Sequence, residues 1–162
     1  MRARRGEQMH RFRHRIQSRA AIAICLGTLL GACGDDPGAL PAACTEGKAA
    51  VVSALRAAPG QVHLGGGRLS DCLQEGASGD QVQAVGAGFV EAASGLSTRA
   101  RQRPEGREAL ELGYLVAAAH RGGDHTQGIH DELLRRLDQE LTAIDTRSRS
   151  YLRGKRAGQA AG

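Results

Sequence analysis

The chain has 162 residues, with 22 Lys and Arg against 17 Asp and Glu, a formal charge of +5, only 2% aromatic residues and no Trp. That length suits one domain, whose core must come from Leu, Val, Ile and Ala. The basic balance does not point to nucleic acid: seven basic residues and one acidic residue lie in 1–32, so the rest holds 15 against 16, a net of −1.

The body also lacks the aromatic platforms on which single strands stack. Arg outnumbers Lys by 20 to two (Lys48 and Lys155), and Asn is absent. That is the bias of GC-rich coding, so the arginines are partly a codon effect.

The leader carries Arg2, Arg4, Arg5, Arg11, Arg13, Arg15 and Arg19 ahead of an apolar run from Ala20 to Ala32. A spanning helix needs about 20 apolar residues. This run is shorter and fits the apolar region of a signal peptide behind a positive flank. It ends Leu30-Gly31-Ala32-Cys33: an aliphatic residue, two small residues, then cysteine. In these positions the sequence resembles the bacterial lipoprotein precursors. The resemblance implies cleavage before Cys33, a thioether-linked diacylglycerol on Cys33, and export to a lipid-anchored place at the cell membrane or outer membrane. Two or more acyl chains hold a protein stably where one does not. Gly34, not Asp, follows the cysteine, which in the Gram-negative members favours the outer membrane. The resemblance covers about the first 35 residues and says nothing of the domain behind them.

The expected organisation is a signal peptide over 1–32, the lipidated cysteine and a Gly- and Pro-rich tether over 33–43, a helical domain over 44–153, and a disordered tail over 154–162. Of the four cysteines, Cys25 leaves with the leader and Cys33 takes the lipid. Cys44 and Cys72 remain, an even pair in an oxidising compartment, and are expected to form a disulfide. Loop entropy assigns such a bridge roughly 3.5 kcal/mol. No Cys-x-x-Cys supports a redox role.

The fold class expected is all-α, a small bundle of three to four helices with that one disulfide. A first helix follows Thr45 as N-cap, with Val51, Val52 and Leu55 on one side, and stops before Pro59-Gly60. Val62-His63-Leu64 is at most a short strand ahead of three glycines, and Ser70 caps a short helix through Cys72 and Leu73. A long helix begins at Asp80, with Val82, Val85, Phe89 and Leu96 at three- and four-residue spacing. Gly86, Gly88 and Gly95 within it mark either close backbone approach or local weakness. The next helix opens at Pro104 with Glu105 and Glu108 in its first turn, packs Ala109, Leu112, Val116 and Ala119, and ends at Arg121-Gly122-Gly123. A last helix carries Ile129, Leu133, Leu137, Leu141 and Ile144. Residues 147–156 hold five positive charges and no acid. They read as a frayed end, with contact to anionic lipid as the alternative.

One cluster has metal-ligand residue types: His120, His125 and His130, with Asp124, Asp131 and Glu132 between them. Five-residue spacing turns about 500° on a helix, so these rings do not share a face. Capping or surface histidines fit better unless a turn gathers them. Gly65-Gly66-Gly67 lacks the Lys-Ser/Thr of a phosphate loop. Ser70, Asp71 and His63 have the residue types of a triad without fixed geometry, and Glu108 with Glu111 reads as a solvated face. No catalytic motif stands out, and no cofactor is implied.

The strings Leu112-Gly113-Tyr114-Leu115 and Thr126-Gln127-Gly128-Ile129-His130 resemble segments of uncharacterised exported proteins of GC-rich bacteria, which brings no activity. The expected role is therefore a lipid-anchored, non-catalytic helical interaction module. It would meet the membrane through Cys33 and an envelope protein as partner. The alternative is a metal- or small-ligand-binding envelope protein that uses the His120, His125 and His130 region.

Overall fold

The computed structural model describes residues 40–73, 77–123 and 128–162. The lipobox with Cys33 and His125 lie outside the described residues. The described part is mostly helical. It holds α1 (Lys48–Leu55), α2 (Gly79–Gln102), α3 (Arg107–Gly123), α4 (Ile129–Gln139) and α5 (Arg149–Ala161). Two short 3-10 helices, Ala42–Thr45 and Leu69–Leu73, and two two-residue strands, β1 (His63–Leu64) and β2 (Gly67–Arg68), complete it. Among these residues no helix is long and apolar enough to cross a membrane.

The front of the domain is a stapled knot of short elements. Thr45 does not cap α1: its hydroxyl donates to the Ala42 carbonyl at 2.9 Å and closes the first 3-10 turn. Gly47, at φ +77°, then redirects the chain into α1, a conformation that favours glycine. β1 and β2 pair antiparallel, His63 opposite Arg68 and Leu64 opposite Gly67, around Gly65 and Gly66, both at positive φ. The three glycines are thus a hairpin turn. Cys44 and Cys72 are joined, with Cα atoms 5.6 Å apart, and both are buried. The bridge ties the start of the domain to the second 3-10 helix.

α2 starts where Ser78 meets Gln81. The Ser78 N–H donates to Gln81 Oε1 at 3.0 Å, and the Ser78 hydroxyl donates to the same atom at 3.1 Å, the local logic of a helix start. Its buried row runs Val82, Val85, Phe89, Ala92, Ala93 and Leu96, as the spacing predicts. Of its interior glycines, Gly88 marks close approach: a Cβ there would lie 2.9 Å from the Gly47 Cα.

α3 is the centre of the domain. Every residue from Ala109 to Ala119 is buried, so it is covered all round rather than along one stripe. Small side chains such as Ala118 and Ala119 let its neighbours come close. The Tyr114 hydroxyl, fully buried, accepts from the Val62 N–H at 3.1 Å. A buried hydroxyl without a partner would cost about 1–3 kcal/mol.

Two helix boundaries and the burial of Ile129 differ from the sequence reading. The third helix does not open at Pro104: Gly106 closes a turn onto the Arg103 carbonyl at 2.8 Å, and α3 begins at Arg107. The helix carrying Leu133 and Leu137 stops at Gln139. Beyond it the Thr142 hydroxyl donates to the Gln139 carbonyl at 2.8 Å, and Asp145 Oδ1 accepts from the Arg147 N–H at 2.9 Å. Such local side-chain bonds compete with helix continuation, so Leu141 and Ile144 sit half-buried in turns. Ile129 is 50% exposed rather than in the core.

The largest correction concerns 154–162, expected as a disordered tail. These residues belong to a fifth helix, α5, docked along α3. Its inward face is Tyr151, Gly154 and Gly158. A Cβ at Gly154 would overlap the Leu110 carbonyl oxygen, one at Gly158 the Tyr114 carbonyl oxygen, and one at Gly113 the Tyr151 carbonyl oxygen. The glycines are there because two helix backbones touch, the close approach that small residues permit.

Candidate functional site

The α3–α5 crossing leaves a cleft along one flank. It encloses about 540 Å³, the size of a small-ligand site. Val116 and Ala117 of α3 form its apolar floor. His120 and Arg121 come from the last turns of α3, Asp138 from the end of α4, and Tyr151, Lys155 and Gln159 from α5.

His120 Nε2 lies 2.9 Å from Asp138 Oδ1, with side chains 40% and 50% exposed. An exposed pair of this kind adds little stability. It orients both groups at the cleft mouth. Arg121 Nη1 donates to the Gln159 carbonyl at 2.9 Å, a favourable place for a cation near the end of α5. Lys155 is exposed and makes no ion pair among the described residues.

The Tyr151 ring is buried, and its hydroxyl has no hydrogen-bond partner among the described residues. Burial pushes its phenol up to about 12, and the Asp138 charge pushes in the same direction. The group therefore stays protonated at any ordinary pH and is available as a donor. The cleft thus offers two cations, a His–Asp pair and a neutral phenol over an apolar floor. Among the described residues no serine, threonine or cysteine lines it. Its donors suit an acceptor-rich group.

Of the candidate histidines, His125 lies outside the described residues, and among the described residues no three His, Cys, Asp or Glu side chains are grouped to hold a metal. His120 takes Asp138 as partner. His130 is buried on α4, its Nε2 without a hydrogen bond. Asp131 Oδ2 accepts from the Gly128 N–H at 3.2 Å. Glu132 binds Arg136 and Arg135, each at 2.7 Å, and these hydrogen bonds, Arg136 first, hold its carboxyl below the usual range.

The triad residue types do not converge either. The Ser70 hydroxyl is buried and donates to the Gly162 carbonyl at 2.8 Å. Asp71 Oδ2 accepts from the Arg68 N–H at 2.8 Å.

Glu111, expected on a solvated face, is only 6% exposed. Arg107 Nε donates to it at 2.8 Å, yet burial outweighs that contact and raises its carboxyl above the ordinary value. The same Arg107 reaches the Arg56 carbonyl, so the pair locks the end of α1 onto α3. Nothing in the spacing of Glu108 and Glu111 reveals this, because it follows from α3 being central.

No family model matches the chain, and neither does any curated protein or solved structure.

Proposed function

We propose that this is an exported protein, anchored by a diacylglycerol on Cys33, that works as a small helical binding module, with the α3–α4–α5 cleft as its recognition surface. The anchor rests on the order of positive flank, apolar run and Leu30-Gly31-Ala32-Cys33. The buried Cys44–Cys72 bridge fits an oxidising compartment. The observation that carries the binding role is the cleft itself. Tyr151, whose hydroxyl has no partner among the described residues, lines it together with Lys155 and Arg121. Those groups suit an acceptor-rich, anionic group on an envelope component.

Two measurements test this reading. Intact mass of the protein extracted from membranes should give a species that begins at Cys33 and carries acyl mass, with Cys44 and Cys72 alkylated only after reduction. A soluble, unacylated species overturns the anchor. Photocrosslinking from position 159 should then yield a discrete envelope product that Tyr151→Phe and Lys155→Glu both weaken. A product indifferent to both changes removes the cleft from the function.

A further inference from the structure

The outward face of α5 is strongly basic. The helix carries Arg149, Arg153, Lys155 and Arg156 and no acid, on a body whose net charge is −1. At about 100° per residue, Arg149, Arg153 and Arg156 fall opposite the buried Tyr151, Gly154 and Gly158. All three are exposed, Arg149 to 93% of its side chain. Arg153 and Arg156 make no ion pair among the described residues. Arg149 has only a loose one, its Nε 3.9 Å from Glu105 Oε1. Leu152, 37% exposed, lies at the edge of the same face. Asp138, an acid of α4 that faces α5, is in the cleft on the flank and pairs with His120.

Chain length decides what this face meets. From Cys33 to Leu40 there are seven residue steps, a reach of at most about 25 Å. Leu40 leads into the 3-10 turn that holds Cys44, which the disulfide joins to Cys72. Two residues before Cys72, the Ser70 hydroxyl binds the Gly162 carbonyl. The C-terminal end of α5 is therefore tied to the same stapled region that the tether leads into. α5 itself is about 20 Å long at ~1.5 Å per residue. With a lipid on Cys33, a tether of this length is long enough for the α5 face to meet the bilayer.

We infer that the Arg149–Arg153–Arg156 face of α5 is a docking surface for anionic lipid headgroups, which lays the domain on its membrane with the cleft on the adjoining flank. This inference rests on the proposed anchor at Cys33. A face of three exposed arginines, two of them without an ion pair among the described residues, on a nearly neutral body suits a diffuse anionic surface. The glycine contact with α3 faces the other way, so the helix can offer this face without undocking.

The test uses the full chain with Cys33→Ser, so that no acyl group contributes, against vesicles of phosphatidylcholine alone or mixed with phosphatidylglycerol. Its partner is the same chain with Arg149, Arg153 and Arg156 all changed to Gln, and the basic leader is common to both. The parent should prefer the anionic vesicles, and added salt should weaken the preference. Each arginine removed should cost about fivefold in binding, so the triple variant loses roughly a hundredfold. Equal binding to both vesicles, or a triple variant that binds like its parent, overturns the inference. If the triple variant melts early, the single changes Arg153→Gln and Arg156→Gln give the same reading at about fivefold each. The anchor is scored separately by the mass of the membrane-extracted protein. Unacylated Cys33 with intact lipid selectivity sinks the anchor and leaves the α5 face standing.

Discussion

α5 and α4 both pack on the helical centre of the domain, in opposite ways. α5 meets α3 backbone to backbone, through Gly154, Gly158 and Gly113, where a single methyl group would collide with a carbonyl. α4 meets α2 through side chains. Leu133 lies over Gly86, its Cδ1 3.6 Å from where a Cβ would stand, and an open groove of about 450 Å³ runs beside it, with half-exposed Ile129 on its wall. A backbone contact has no soft part to yield. A side-chain contact with open space beside it loses energy gradually. The rigid contact carries the cleft and the arginine face, so both inherit a fixed geometry from glycines.

The sharpest way to break this contrast is one substitution made on each side of it. Gly154→Ala should destabilise the domain by about 3 kcal/mol, the upper end for overpacking, because the Leu110 carbonyl cannot move without sliding α3 past α5. Denaturant unfolding measures it, and a neutral result would mean that the helices are not in backbone contact. Leu133→Ala should cost about 2 kcal/mol, the lower end for a buried leucine, since the adjoining groove already admits water. A loss as large as at Gly154 would show the α2–α4 contact to be equally rigid. Gly86→Ala, the same chemical change as at Gly154, should have the opposite sign. The new methyl meets Leu133 at ordinary contact distance, and α2 gains up to ~1 kcal/mol of helix propensity. A higher melting temperature for Gly86→Ala beside a lower one for Gly154→Ala would express the contrast in one experiment.

The same difference governs how far the sequence could be read. α2, α3 and α4 announce themselves because their inward residues are apolar: Val82, Val85 and Phe89, then Leu112 and Val116, then Leu133 and Leu137. The cysteine pair was legible by counting. α5 was not, because its inward face is glycine. Residues 154 and 158 add nothing to a hydrophobic stripe and count against a helix in isolation. Their value appears only opposite Leu110 and Tyr114, which no local pattern contains. The cleft was half legible for the same reason. His120 stood out as a histidine, but its partner Asp138 is 18 residues away on another helix, and Tyr151 lay in the segment read as a frayed end. The burial of Glu111 is not legible in the sequence, because nearness to the centre is not written in the spacing of one helix.

The smallest expected effect concerns how the two helices start. α4 is begun locally, by Asp131 of its own first turn reaching back to the Gly128 N–H. α5 is begun from a distance. The Glu105 carboxylate, before α3, accepts from the Arg149 N–H at 3.2 Å and from the Ser150 N–H at 3.1 Å. Negative charge at the positive end of a helix is favourable, and those backbone bonds, that from Arg149 first, hold the Glu105 carboxyl below its ordinary value of 4.5. The sign of its pH dependence follows. With a folded value lower than the unfolded one, Glu105 adds stability above about pH 4.5 and loses it as pH falls through its folded value. Glu111, raised by burial, works in the other direction, because protonation there favours the folded state. Glu105→Gln should therefore lower stability slightly at pH 7 and leave it unchanged at the acid end, so the two melting-temperature curves converge as pH falls. Asp131→Asn on α4 gives the local comparison. A gap for Glu105→Gln that persists undiminished below its folded value would mean that geometry, not charge, begins α5.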